Sequence, residues 1–106
     1  METSTINSDI QALKNDNGLV LVEMYASWCP HCQHMMPVVA DVKAMMKGKA
    51  NVYQFDVDKF PELSDVLQVP SIPTFIIYKG GEEQWRQTGE MSGSELVNAL
   101  EKAMDA

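Results

Sequence analysis

The spacing of apolar residues changes several times along the chain, and each change marks an element. "INSDIQALKND" places Ile6, Ile10 and Leu13 at helical intervals ahead of Gly18, which predicts a short amphipathic helix over residues 6–16. "LVLVEMYA" (19–26) is apolar almost throughout, the pattern of a central strand covered on both faces, and its one charged residue is Glu23. From Pro30 to about Lys47, the residues Cys32, Met35, Met36, Val39, Val42 and Met46 recur every three or four positions. They predict one long helix stopped at Gly48. "NVYQFDVD" (51–58) reads as a second strand and "PELSDVL" as a short helix starting near Pro61. A strand, helix, strand unit of this kind favours parallel pairing with a right-handed crossover.

After "VPSIP", the strand "TFIIYK" (74–79), the Gly80-Gly81 turn and "EEQWRQT" (82–88) form a hairpin. The last element, "SGSELVNALEKAMD", opens with Ser92 and Glu95 at capping-box spacing and sets Leu96, Leu100, Ala103 and Met104 on one face. The order is α-β-α-β-α-β-β-α. It predicts an α/β fold, a single domain over residues 1–106 with a mixed sheet and helices on both of its faces.

At 106 residues the chain can bury a core without disulfide or metal staples. A bridge between its two cysteines, Cys29 and Cys32, would close too short a loop to restrain the unfolded state much, so stability is a weak reason for the pair. A formal charge of −7 with only eight Lys and Arg argues against a nucleic-acid partner. The N-terminal stretch lacks a basic segment followed by an apolar run, and no window approaches the roughly 20 apolar residues that span a bilayer. A soluble, cytoplasmic monomer with no membrane partner is expected, unless a leader has been removed. The eight methionines fall mostly at core-like helical positions and read as gap-filling packing.

The cysteines carry the chemistry. In "WCPHC" (28–32) they stand three apart directly after a strand predicted to be buried, the position expected of a dithiol redox site. Pro30 suits the first helical position, which puts Cys29 at the N-cap and Cys32 at the third position of the helix. The Cys29 sulfur then faces free N–H groups and the positive end of the helix dipole, which favour a thiolate and make Cys29 the expected attacking group. Cys32, one turn inside, is placed to resolve a mixed disulfide.

His31 lies beside that sulfur. In its cationic form it would favour the thiolate, stabilise the reduced site and make the disulfide a better oxidant. His34 reads most simply as a solvated helix residue. A zinc site built from Cys29, His31, Cys32 and His34 is opposed by helical spacing, because each histidine stands about 200° around the helix from a cysteine. No metal is expected.

Taken together, these segments resemble the thioredoxin family over nearly the whole chain. "VEMYASWCPHC" is similar to the family's strand and Cys-x-x-Cys segment, "SIPTFIIYKGGE" to its cis-proline loop and hairpin, and Gly89 falls at its substrate-groove glycine. The resemblance implies a thioredoxin fold, with a central sheet of four to five strands. It implies thiol-disulfide exchange with protein disulfide or dithiol substrates, and a reductase or other thiol electron donor as partner. No cofactor is implied beyond the Cys29/Cys32 pair. Trp28, Ile72, Pro73 and Gly89 would form the docking surface, with Pro73 in cis and the Ile72 backbone free to pair with a substrate strand. Pro37, anomalous inside a helix, matches the family's kinking proline.

Glu23, six residues before Cys29, is costly in a buried strand if ionised, so its carboxyl should hold its proton to higher pH than usual. Its alternative is an edge position reaching water. The family usually has Asp here as a proton shuttle for the resolving cysteine, and Glu23 would take that role. Three departures stand out. Gln54 replaces the family's usual Lys near this acid. Pro30-His31 replaces the common Gly-Pro, as in the disulfide-donating branch, although this chain has no room for that branch's helical insertion. Thr88, Glu90 and Met91 alter the groove. Two readings follow: a protein-disulfide oxidoreductase more oxidising than its Gly-Pro relatives, or a partner-binding or redox-sensing module of the same fold that does not turn over.

Overall fold

A computed structural model describes residues 18–106, and the helix expected over 6–16 lies outside them. Seven elements follow in order: β1 (Leu19–Tyr25), α1 (Pro30–Met45), β2 (Ala50–Asp56), α2 (Pro61–Val66), β3 (Thr74–Lys79), β4 (Glu82–Thr88) and α3 (Gly93–Asp105). The four strands form one sheet in the order β2-β1-β3-β4. β1 runs parallel to β2 and antiparallel to β3, while β3 and β4 form the hairpin. A bulge between Ile77 and Tyr78 shifts the register, so Ile77 faces Trp85 and Tyr78 faces Glu83.

The alternation of the central strands divides the core. Leu19, Leu21, Phe75 and Ile77 point to one face, where Met35, Val39 and Val42 of α1 and Leu96, Leu100 and Ala103 of α3 cover them. Val20, Val22, Met24, Ile76 and Tyr78 point to the other, where Leu63 of α2, Phe55 and Val69 close the layer. Apart from Glu23, each face of β1 is apolar, so helices on both sides are required to remove both surfaces from water.

Element ends follow their caps. α1 stops at Met45, two residues before the expected end, because a turn takes over: the Met46 N–H donates to Val42 and the Lys49 N–H to Met46, with Gly48 at φ +85°. α1 runs as one helix through Pro37, where the Gln33 carbonyl loses its usual donor. β2 begins at Ala50 and ends at Asp56, one and two residues earlier than expected, since the Asp56 carboxylate accepts the Asp58 N–H at 2.9 Å and turns the chain. The capping box of α3 is complete, with the Ser92 hydroxyl accepting the Glu95 N–H at 3.1 Å and the Glu95 carboxylate accepting the Ser92 N–H at 3.0 Å.

The methionine reading needs correction. Met24, Met35, Met46 and Met91 are buried, but Met36, Met45 and Met104 are exposed. Met36 and Met104 each sit beside a residue that already fills the inward stripe of its helix, Met35 and Ala103, and a helix of this width has room for only one of them.

Candidate functional site

The site is built where β1 ends and α1 begins. Ala26 accepts the Cys29 N–H at 3.2 Å, which closes the turn and brings Cys29 to the N-cap in an extended conformation. Its Sγ accepts the Cys32 N–H at 3.3 Å, so one of the orphan donors of the first turn is spent on sulfur. Both cysteines are free thiols and both are buried, in a small cluster with Ala26 against which Tyr25, Val57 and Ile72 pack. The Cys32 thiol is pushed up to about 12, chiefly by burial and then by its hydrogen bond with Cys29, with negative charge on Cys29 and on Glu23 adding to the shift. A thiol of this kind keeps its proton until a nearby base removes it.

The one carboxyl whose charge adds to this shift belongs to β1. Glu23 lies in the middle of β1 with no exposed surface, which rules out the edge position. Its register partner on β2 is Gln54, whose Nε2 donates to Glu23 Oε1 at 2.9 Å. Oε2 has no hydrogen-bond partner among the described residues. Burial raises the carboxyl above its ordinary value and the Gln54 amide only partly opposes this. A neutral amide stands where a cation would have held the carboxylate ionised.

Around the cysteines, Trp28 is 64% exposed and is anchored by Nε1 donating to Asp58 at 2.8 Å. The Ile72-Pro73 peptide bond is cis. The Pro73 carbonyl accepts the Gly89 N–H at 2.8 Å, and Gly89 has φ +106°, a conformation that favours glycine. The next residue, Thr74, donates or accepts with Thr88 Oγ1 at 2.8 Å and reaches Ser71 O at 2.6 Å, which ties the proline loop to β4. Trp28, Ile72, Pro73 and Gly89 therefore belong to segments that adjoin the cysteine cluster. Met91, read as a groove residue, is instead buried, and its N–H donates to Met35 Sδ at 3.4 Å.

His31 and His34 turn outward while the cysteines turn in, so the four do not share a face. The two histidines converge with each other: Glu90 Oε2 lies 2.5 Å from His31 Nδ1 and 3.3 Å from His34 Nδ1. These contacts hold the Glu90 carboxyl below its ordinary value, the hydrogen bond with His31 first and that with His34 second. His34 is thus more than a solvated residue. Helical spacing could not reveal this, because the third member comes from the loop after β4, 56 residues away in sequence. Asp58 and Thr74 were also missed. An aspartate following a strand and a threonine opening one carry no local signal of their partners.

The Thioredoxin family model matches residues 2–102. The chain belongs to the thioredoxin family. It is 34% identical to thioredoxin of Staphylococcus aureus over 89 residues, 84% of this chain and 86% of that one. It is 32% identical to the chloroplastic thioredoxin Y of Oryza sativa subsp. japonica over 101 residues, 95% of this chain and 60% of that one. The chain spans 58 to 60% of the length of this and two similar chloroplastic thioredoxins of Arabidopsis thaliana. Among solved structures, a mutant thioredoxin from Halobacterium salinarum aligns with a TM-score of 0.83 at 28% identity, covering 92% of this chain and 84% of that one. Mitochondrial thioredoxin 3 of Saccharomyces cerevisiae, in its oxidised form, aligns with a TM-score of 0.82 at 22% identity, covering 91% and 89%. The mixed four-stranded sheet with helices on both faces is the thioredoxin fold.

Proposed function

We propose that the protein is a thiol-disulfide oxidoreductase that acts on protein disulfides by dithiol exchange. One observation carries this reading: Cys29 caps a helix with its sulfur accepting an N–H, while Cys32, one turn inside, is a buried thiol within electrostatic reach of the buried Glu23 carboxyl, whose Oε2 has no partner among the described residues. The Cys29 thiolate attacks one sulfur of a substrate disulfide, forming a mixed disulfide and releasing the other sulfur, which takes a proton. Glu23, when ionised, accepts the proton of Cys32. The Cys32 sulfur then attacks Cys29 Sγ, releases the second substrate thiol and leaves a Cys29-Cys32 disulfide. A thiol electron donor or reductase returns the pair to the dithiol, so no other redox cofactor is needed.

Docking uses the exposed face of Trp28 and the Ile72, Pro73 and Gly89 segments, with the Ile72 backbone offering an edge to an extended substrate. His31 makes the disulfide more oxidising than a Gly-Pro dipeptide would, and Glu90 moderates it by placing a carboxylate beside the imidazole. The reduction potential against glutathione tests this: replacing His31 with Ala should make the pair more reducing, and an unchanged potential removes His31 from the account. The activity itself is tested with Cys32→Ser, which should accumulate mixed disulfides through Cys29. If no partner is trapped and the native chain does not reduce a model disulfide, the chain is a binding module that uses the same face.

A further inference from the structure

We propose that His31, His34 and Glu90 form a binding site for one divalent transition-metal ion, Zn2+ in the first place, on the outer side of the helix that carries the cysteines. His31 and His34 stand three apart, one turn from each other, near the start of α1, and both are exposed. Glu90 reaches them from the loop between β4 and α3, and one donor atom from each of the three lies within 4.8 Å of the others. A tetrahedral zinc ion with bonds of about 2.0 to 2.1 Å holds its ligand atoms roughly 3.3 Å apart. The His34 to Glu90 separation of 3.3 Å already fits, and the 2.5 Å contact between His31 and Glu90 opens as the ion replaces the hydrogen bond.

Two imidazoles and one carboxylate, with a fourth position left to water, suit zinc and its neighbours in the transition series. They do not suit calcium or magnesium, which prefer sets made of oxygens. The positive end of α1 disfavours a cation there. Opposing it are the Glu90 carboxylate and a chain carrying a net charge of −7. The site is separate from the cysteines, whose sulfurs are buried on the inner side of the same turn. Bound there, the ion would strap the loop that follows Gly89 to the start of α1. Binding does not depend on the redox reading given above.

The test is a zinc titration followed by calorimetry, using the full chain with Cys29→Ser and Cys32→Ser so that no thiolate can bind metal. One ion per chain should bind, and adding His34→Ala or Glu90→Gln should weaken binding about tenfold or more. Co2+ in place of Zn2+ should give a visible spectrum of nitrogen and oxygen ligands that disappears in the His34→Ala variant. Failure of the double-serine chain to bind either ion overturns the proposal, as does binding that survives both His34→Ala and Glu90→Gln unchanged. Because the double-serine chain has no redox activity, these outcomes leave the oxidoreductase reading to its own trapping experiment.

Discussion

The buried carboxyl of Glu23 links stability to pH with a definite sign. Its folded value is raised, so between its unfolded and folded values the native state holds a proton that the unfolded chain has lost. Stability therefore falls as pH rises through that window and is least penalised below the unfolded value. Glu23→Gln keeps the shape and removes the charge. It should match the native chain in stability at pH 4 and exceed it by about 1 to 3 kcal/mol at pH 8, well above the unfolded value, where burying the acid costs the native chain stability. Thermal unfolding at the two pH values measures this, and an equal gain at both would show that charge is not the cause. On the function proposed above, the same variant should lose roughly 100-fold or more in disulfide exchange, mostly in the step that uses Cys32. Position 23 was legible in the sequence as a lone acid in an apolar run. Gln54 as its neighbour was legible through the family resemblance, but that its amide reaches only Oε1 and leaves Oε2 without a partner among the described residues was not, because that depends on side-chain packing across the sheet.

Elements were legible where local rules agree with the fold. The β3 and β4 boundaries and the Ser92 cap follow from turn glycines and a capping box, which act within a few residues. Helix faces were less legible, as Met36 and Met104 show, because apolar character at a position does not say whether the stripe is already full. A long-range contact of the same kind ties β4 to the end of α2. Arg86 donates through Nη1 to Gln68 O at 2.9 Å and through Nη2 to Leu67 O at 3.0 Å, while Glu83 accepts from it at 2.8 and 2.9 Å. Gln68 is a non-glycine residue at φ +56°, a conformation that costs roughly 1 to 2 kcal/mol, and the guanidinium fork holds it in place. Lys cannot present two parallel donors to those carbonyls. Arg86→Lys should lower the urea midpoint by the equivalent of about 1 to 2 kcal/mol. A change within a few tenths would mean that the fork does not support the turn.

For the whole molecule, the site is a meeting of segments far apart in sequence. β1 brings Glu23, α1 brings the cysteines, the loop before β3 brings Ile72 and Pro73, and the end of β4 brings Gly89 and Glu90. The cysteine motif and the glycine and proline positions could be recognised in the sequence because each is short and fixed in order. The pairing of Trp28 with Asp58 and the convergence of His31, His34 and Glu90 required the fold, since each joins residues at least 30 apart. The placement of Glu23 has an outcome for selection experiments. The centre of β1 is fully buried, yet it holds an acid, so on the function proposed above folding and chemistry make opposite demands on one side chain. A library of random variants sorted only for heat resistance at alkaline pH should be enriched at position 23 in neutral residues. The functional centre would then show itself as the site where robustness is most easily improved, without any measurement of catalysis.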